Sequence, residues 1–309
     1  MTQIELAAPA CLTLAAARID GRPALLGIAL RHPPVHLIAR PAPRLAASGA
    51  RADVAYHHGK AFMSSKNMNT AADFEIELAI PAYMGLGSTP LIGLSVARAM
   101  AALHGLPTDD AQALAAAAGV EPAEGLAIQS FGGGGLLLVD ESGAALRRYA
   151  ISHSSEPQDW VFVLALPRPP TDTPDDLEVA EMNRLWRAAA GLDERAEQLV
   201  AGRLWPAAEG DDIDAFGAAL MELQGIYGDN EASPEEQAIL AIMRAGGAVA
   251  WGRAPTGLGL YGLIRGGEPS RRLRQSLVAH VGHAGGTIMA TICETGGVRQ
   301  RDVQHGNTA

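Results

Sequence analysis

The segment PAYMGLGSTPLIGLSVARAM, residues 81–100, places a glycine-containing turn directly before a predicted helix with an apolar face. The two glycines of GLG allow a turn with bare backbone N–H groups, and the Ser-Thr-Pro that follows is a typical helix start. Such N–H groups at the positive end of a helix dipole bind phosphate or pyrophosphate. A capped helix that binds nothing explains the same residues equally well, so the segment alone leaves both interpretations open.

The residues around this turn predict a strand before it and helices after it. The segment DFEIELAI, residues 73–80, alternates polar and apolar side chains and indicates a half-buried strand. The helix that follows the turn is expected to be capped by Ser88 or Thr89 and to end at Gly105. A second helix is expected at residues 108–119.

The remaining pattern divides the chain into two parts, joined by the proline-rich connector PRPPTDTP. The first part is expected to contain strands at 3–16, 24–40 and 159–167. It should also contain a polar loop at 57–70 and a glycine run at 130–135. In the second part, helices precede a hairpin, an amphipathic helix and a closing strand, with the first four helices at 174–190, 193–202, 212–226 and 234–245. This order is typical of an α+β domain. We therefore predict an α/β domain at 1–168 and an α+β domain at 169–309.

The composition excludes several functional classes. The formal net charge of −10 over 309 residues argues against a nucleic-acid partner. No apolar stretch approaches the roughly 18 residues that favour a membrane span, and the first residues lack the basic flank of a signal peptide. We therefore expect a cytoplasmic protein with no membrane partner. Cys11 and Cys293 have neither disulfide nor metal-ligand spacing, and no metal ligand is predicted.

Other polar positions are candidates for ligand contact, and each has a structural alternative. The polar stretch holds both lysines of the chain, and Lys66 would meet an anion there as a point charge, unless the stretch is only an exposed loop. Gly133 and Gly134 in SFGGGG would let the backbone approach a ligand closely, or would serve only as a connector. Trp251 and Arg253 flank a turn and would contact a ring and an anion, although a structural hairpin explains them too.

Several segments, in the same order along nearly the whole chain, resemble the β-ribofuranosylaminobenzene 5′-phosphate synthase family of the GHMP kinase superfamily. The segment around the glycine turn, IELAIPAYMGLGSTPLIGLSVARAMAALHGL, is similar to the phosphate loop of that superfamily. The other matching segments are APACLTL, LGIAL, SFGGGGLLLVD, PQDWVFVLALP, DIDAFGAALMELQGIYGD, AWGRAPTGLGLYGLI and GGTIMATICETGG.

This resemblance implies a GHMP-type two-domain fold, with an N-terminal α/β domain, a ferredoxin-like α+β C-terminal domain and an active cleft between them. It also implies that phosphoribosyl pyrophosphate condenses with an aromatic acid, with loss of CO2 and pyrophosphate, in tetrahydromethanopterin biosynthesis. Mg2+ is expected with the pyrophosphate, and a homodimer is expected by analogy. The phosphate-binding residues carried over from the family loop are Gly85, Leu86, Gly87, Ser88 and Thr89.

The chain departs from the family pattern where substrate contacts are expected. The first strand has Cys11 and Thr13 where the family usually has a basic residue and a histidine. Asp20 lies near a position where the family has an acid. We therefore take Asp20 and Lys66 as candidate catalytic residues. The hairpin also lacks the Gln-Ser-Ser that precedes the family tryptophan, here Trp251.

Three hypotheses follow for the function. The first is a divergent synthase of this family, a phosphoribosyl transferase that forms a C-riboside. The second is a non-catalytic paralogue that acts as a binding or assembly partner in the same pathway, and the missing polar residues favour it. The third is a GHMP-type small-molecule kinase, which would share the loop but require ATP.

Overall fold

The computed structural model of the chain describes residues 2–152, 158–174, 176–227, 232–281 and 285–304. Within these ranges two sheets are surrounded by helices. The strands are β1 (Thr2–Ile19), β2 (Arg22–Ala42), β3 (Ala46–Gly49), β4 (Ala71–Leu78), β5 (Leu136–Val139), β6 (Ala145–Tyr149), β7 (Trp160–Leu166), β8 (Ala250–Arg253), β9 (Leu260–Arg265), β10 (Thr287–Ile292) and β11 (Arg299–Gln304). The α-helices are α1 (Ala52–Ser65), α2 (Ser88–Leu103), α3 (Ala111–Ala118), α4 (Gly125–Gly133), α5 (Leu177–Ala190), α6 (Glu194–Leu199), α7 (Trp205–Glu209), α8 (Ile213–Tyr227), α9 (Pro234–Ala245) and α10 (Glu268–Val281).

The first sheet is built on two long strands, β1 and β2, which pair antiparallel over most of their lengths. β11 pairs with the other edge of β1, and β4 pairs with β2. β3 lies parallel to β4, and the β5–β6 hairpin also pairs with β2 through β5. Helices α2 and α4 pack on β1 and β2, so the sheet and these helices bury one large apolar core.

The second sheet is antiparallel, with the strand order β10-β7-β9-β8. Its central strand β7 is buried on both faces, as its uniformly apolar sequence predicts. Val161 and Val163 pack in a separate cluster with apolar residues of α9 and α10. Trp160 and Phe162, which alternate with them, belong to the main core. The predicted α+β character of the second half is therefore confirmed.

The two sheets do not divide strictly at residue 168, where the sequence predicted the domain boundary. β7 precedes residue 168 but belongs to the second sheet, whereas β11 follows it and belongs to the first. The strands thus link the two halves in both directions. The domain boundary itself stays a prediction.

The predicted polar loop at 57–70 is wrong over residues 57–65, which belong to helix α1, whereas residues 66–70 form neither helix nor strand. The buried face of α1 consists of Ala55, His58, Gly59 and Phe62, at the spacing expected of a helix packed along one side. Two of these four residues are small and one is histidine. The apolar pattern in the sequence is therefore weak, although the packing is extensive.

The start of α2 also differs from the expectation. Gly87, with φ 72°, is the N-cap residue, and neither Ser88 nor Thr89 caps the helix with its side chain. The hydroxyl of Ser88 instead donates to the carbonyl of Ile80, with 2.7 Å between the oxygens. The helix therefore begins from a glycine in the left-handed conformation, which costs glycine little free energy because it has no Cβ.

Candidate functional site

The turn before α2 holds its glycines in the left-handed region of backbone space. Gly85 has φ 68° and Gly87 has φ 72°. A Cβ on Gly87 would lie 3.4 Å from the Cβ atoms of Cys11 and Ala127 and 3.3 Å from the Leu91 side chain. The backbone at Gly87 thus packs closely against its neighbours and leaves little room for a side chain.

A cavity of about 460 Å3 lies at this helix start. Its walls come from the glycine turn, from β1, from the end of α3 and from the first turns of α4 and α5. The residues that line it are Cys11, Thr13, His58, Gly85, Gly87, Thr89, Pro90, Gly119, Val120, Glu121, Ala123, Glu124, Leu126, Ala127, Glu178, Val179, Met182, Asn183 and Thr256. Its size and its largely apolar wall with a few polar groups are typical of a small-molecule site.

Arg51 fixes the two hydroxyl groups at the start of α2. Its guanidinium donates to the Ser88 hydroxyl and, over 3.0 Å, to the Thr89 hydroxyl. Arg51 is itself held at φ 55°, directly before α1. It therefore brings a positive charge to the same place as the positive end of the α2 dipole, and both favour an anion.

Glu178, in the first turn of α5, contacts the glycine turn from the opposite wall. Its carboxylate accepts a hydrogen bond from the Tyr83 N–H over 3.0 Å, and the nearby Gly85 N–H and Thr89 hydroxyl stabilise its charged form and so lower its pKa. Burial raises the pKa of Glu178 above its ordinary value, although Arg51 and these groups oppose the rise. The carboxylate is thus held by the groups that an anionic ligand would use.

Glu124 places a second carboxyl group in the cavity. Burial raises its pKa from 4.5 to about 7, and the negative charge of Glu178 adds to the rise. A buried acidic group whose pKa is raised beside a second carboxylate in a cavity is a frequent feature of functional sites. Near neutral pH, Glu124 therefore exists in both protonation states.

His58 lies beside these groups on α1. Its Nδ1 makes a 2.8 Å hydrogen bond with the Ala118 carbonyl, which requires a proton on Nδ1. Burial lowers the pKa of His58 despite that bond, so the ring is neutral near pH 7. Its ring packs directly on α2, because a Cβ on Gly93 would lie 2.9 to 3.0 Å from it.

The glycine turn rests against the β8–β9 hairpin of the second sheet. The Leu258 N–H donates to the Tyr83 carbonyl over 2.6 Å, and Met84 pairs with Gly257 as an isolated β-bridge. Thr256 of the same hairpin reaches the cavity. The second half of the chain therefore supports the turn from behind and also contributes to the wall.

The structure brings most of the predicted phosphate-binding residues together. Gly85, Gly87 and Thr89 line the cavity, whereas the Ser88 side chain is buried behind it. The Leu86 side chain is also buried, and its carbonyl accepts from the Cys11 N–H over 3.0 Å. The predicted loop thus occupies one wall, and its role in phosphate binding stays a prediction.

Four of the other predicted residues lie away from the cavity wall. Asp20 is exposed in the turn between β1 and β2, and Lys66 is exposed at the end of α1. Cβ atoms on Gly133 and Gly134 would meet Arg148 and the segment at 294–297 instead. None of these four belongs to the residues that line the cavity.

Trp251 and Arg253 lie on β8 and are engaged in the second half of the chain. The Arg244 guanidinium lies 5.9 Å from the Trp251 ring centroid. Nε of Arg253 donates to the Gly257 carbonyl over 2.7 Å and lies 3.8 Å from the Glu236 carboxylate. Arg253 therefore supports the hairpin that carries Thr256, and neither Trp251 nor Arg253 lines the cavity.

Sequence reasoning missed Arg51, Glu124 and Glu178. Each lies outside the glycine turn in the chain, and Glu178 belongs to the second half. The pairing of an arginine with the Ser-Thr hydroxyls has no local sequence signal. In the described ranges no group of three or more His, Cys, Asp or Glu side chains is arranged to hold a metal ion. None of the described helices combines the length and apolar character that a bilayer span requires.

No protein-family model matches the chain. One sequence relative is the β-ribofuranosylphenol 5′-phosphate synthase of Methanothermobacter thermautotrophicus, which is 26% identical over 165 residues. The match covers 49% of this chain and 50% of the relative. The similarity therefore spans about half the length of each protein.

Solved structures are similar over almost the whole chain. Homoserine kinase from Cytophaga hutchinsonii matches with a TM-score of 0.64 and 16% identity, covering 97% of both chains. A putative homoserine kinase from Listeria monocytogenes matches with a TM-score of 0.66 and 14% identity, covering 97% of this chain and 99% of the other. Mevalonate kinase from Methanococcus jannaschii matches with a TM-score of 0.60 and 13% identity, over 95% and 98% respectively.

The chain therefore has the two-domain fold of the GHMP kinases, as the resemblance predicted. Within this class, the relative found by sequence is a synthase rather than a kinase, and the predicted resemblance to the synthase family is confirmed as a distant one.

Proposed function

We propose that the chain is a transferase that binds a phosphorylated sugar at the start of α2. The observation that carries this proposal is the cavity at the α2 N-terminus, which Gly85, Gly87 and Thr89 line and where Arg51 holds the Thr89 hydroxyl from behind the wall. The reaction we favour condenses phosphoribosyl pyrophosphate with an aromatic acid and releases CO2 and pyrophosphate. The distant similarity to a β-ribofuranosylphenol 5′-phosphate synthase supports that choice.

The cavity suits this chemistry because its two sides differ. The turn and Arg51 offer N–H and hydroxyl donors for phosphate oxygens. Leu126, Ala127 and Met182 supply apolar wall for a ring. Departure of pyrophosphate leaves positive charge on the ribose carbon that carried it, and the aromatic acid attacks that carbon. Such a reaction depends on positioning and electrostatics and needs no protein nucleophile.

Mg2+ belongs to this proposal, because it accompanies pyrophosphate and neutralises its charge. Mg2+ binds few protein ligands besides phosphate oxygens, and these are mostly carboxylates. Glu124 supplies a carboxyl group in the cavity, beside the carboxylate of Glu178. We propose Glu124 as the residue that would hold the ion. A role in tetrahydromethanopterin biosynthesis and a homodimer are parts of the same proposal and rest on the family resemblance. A cytoplasmic location is also part of it and rests on the composition of the sequence.

The test is calorimetric titration with phosphoribosyl pyrophosphate and Mg2+. Gly87→Asp should abolish binding, because it adds a negative charge where the phosphate would lie. Gly105→Asp is the control for an aspartate at positive φ: Gly105 has φ 65° and does not line the cavity, although a Cβ there, unlike one on Gly87, meets nothing within 4 Å. Binding that is lost in both variants, or in neither, would contradict the proposed site.

The alternative function is phosphoryl transfer from ATP, which the full-length similarity to kinases of this fold favours. The same titration with ATP and Mg2+ distinguishes the two. Binding of ATP without binding of phosphoribosyl pyrophosphate would replace the synthase by a kinase. Binding of neither ligand would leave a non-catalytic paralogue as the better account.

A further inference from the structure

The N–H groups of the glycine turn are already engaged by a side chain of the same molecule. The Glu178 carboxylate accepts a hydrogen bond from the Tyr83 N–H over 3.0 Å, and it lines the cavity together with Gly85 and Thr89. The Gly85 N–H and the Thr89 hydroxyl stabilise its charged form and so lower its pKa, and the Thr89 hydroxyl accepts from the Arg51 guanidinium over 3.0 Å. A phosphate bound at this turn needs the same donors, since each N–H and O–H group carries one proton.

The contact joins two distant parts of the chain. Glu178 belongs to the first turn of α5, about 90 residues after the turn that it contacts. The same turn of α5 and the next one give Val179, Met182 and Asn183 to the cavity wall. The carboxylate and part of one cavity wall therefore belong to the same helix.

We propose that Glu178 is a specificity-determining residue, an internal carboxylate that competes with ligands for the glycine turn. This inference rests on the proposed function at the same site. A competitor on the same chain acts at a high effective concentration. An external monocarboxylate has the same charge and the same acceptor oxygens as the Glu178 side chain, so it cannot displace Glu178 from the turn. A phosphate dianion offers an additional acceptor oxygen and more charge to Arg51 and the α2 dipole, so it displaces the carboxylate.

Three substitutions separate competition from a simple effect of charge. Glu178→Gln keeps the size of the side chain and removes its charge. Glu178→Asp keeps the charge but is one methylene shorter, so its carboxylate no longer reaches the Tyr83 N–H. Glu181→Gln is the control, because it removes a carboxylate from the same helix. That carboxylate pairs with Arg184 over 2.6 Å, and Glu181 does not line the cavity.

The experiment titrates each protein with inorganic phosphate and with acetate in Mg2+-free buffer, after circular dichroism has checked that each is folded. We expect Glu178→Gln and Glu178→Asp to bind phosphate about tenfold more tightly than the unmodified chain, the change expected when a charge-assisted hydrogen bond no longer competes. Glu181→Gln should bind like the unmodified chain. Acetate should bind detectably only when Glu178 is changed.

Each other outcome overturns the inference in a distinguishable way. If Glu178→Gln binds more tightly and Glu178→Asp does not, the effect is one of charge alone. If the unmodified chain binds phosphate and both Glu178 variants bind it equally or less well, Glu178 does not compete, while the proposed phosphate site stands. If no protein binds phosphate, the inference and the proposed function both fail.

Discussion

Gly85 and Gly257 lie back to back, one in the turn before α2 and the other in the β8–β9 hairpin. A Cβ on Gly257 would overlap the Gly85 amide nitrogen and lie 2.5 Å from the Met84 carbonyl carbon. A Cβ on Gly85 would lie 3.0 Å from the Gly257 amide nitrogen. The candidate phosphate site is therefore held in place by backbone contact with the second half of the chain.

Gly257→Ala should destabilise the protein and weaken ligand binding together. The methyl group would meet backbone atoms, which cannot rotate away, so we expect a loss of about 1–3 kcal/mol in the free energy of unfolding. Denaturant unfolding measures it. Gly225→Ala is the control, because a Cβ there, in α8, meets nothing within 4 Å and alanine favours a helix. Equal stability of the two variants would contradict the close contact.

Arg51→Ala should weaken phosphate binding, because it removes both the nearby positive charge and the donors that orient the Ser88 and Thr89 hydroxyls. Arg51→Lys should restore only part of the affinity, since a lysine ammonium lacks the planar fork that reaches two hydroxyls. The measurement is a phosphate titration, with the exposed Arg272→Ala as the charge-matched control. Full affinity in Arg51→Ala would exclude Arg51 from the site.

Glu124 should make stability depend on pH in a defined direction. Its folded-state pKa is about 7 against 4.5 for the free side chain, so the folded state holds the proton more tightly. The stabilisation from that proton is complete below pH 4.5 and is lost as the pH rises to about 7, by about 3 kcal/mol. Glu124→Gln should remove this loss, as seen in unfolding curves between pH 5 and 8.

The control for this pH series is Glu121→Gln, which removes an exposed carboxylate from the same cavity. It should keep the pH dependence of the unmodified chain. Identical pH dependence in the unmodified chain and in Glu124→Gln would contradict the raised pKa.

Cys11 should react slowly with thiol reagents although it lines the cavity. Burial raises the pKa of its thiol to about 12, and burial is also the main reason why the pKa of the Cys293 thiol is raised to about 12. The thiolate is the reactive form, so alkylation at pH 7.5 should be about a thousandfold slower than for a free cysteine. Mass spectrometry after iodoacetamide treatment measures the rate, and unfolding in guanidinium should restore it. Rapid native labelling of Cys11 would show an open thiolate.

The sequence predicted elements whose signal is local and missed contacts that form between distant segments. Helix α9 was predicted at its observed bounds, because Ser233 and Glu236 form a capping box. Strand β7 was predicted as central because every residue in it is apolar or small. Helix α1 was missed because His58 and Gly59 belong to its buried face.

In the candidate site, the glycine turn was predicted because a strand, a Gly-Leu-Gly turn and a Ser-Thr-Pro helix start follow one another in one short segment. Arg51 and Glu178 were not, since they approach Thr89 only after α1 has packed against α2 and α5 against β1 and β2. The candidate catalytic residue Asp20 was chosen from the family resemblance and Lys66 from its charge, and both are exposed. The local pattern therefore located the turn, but neither it nor the family resemblance located the partners of the turn.

The double burial of β7 has a practical consequence for work with fragments. A fragment that begins at the proline-rich connector lacks β7 and leaves β9 and β10 without the strand that joins them. Those unpaired edges would invite intermolecular pairing. A fragment that ends at the connector keeps β7 but exposes the face of Val161 and Val163 that α9 and α10 cover. Expression of either half alone should yield aggregates, and labelling schemes that need segmental ligation should join the pieces elsewhere.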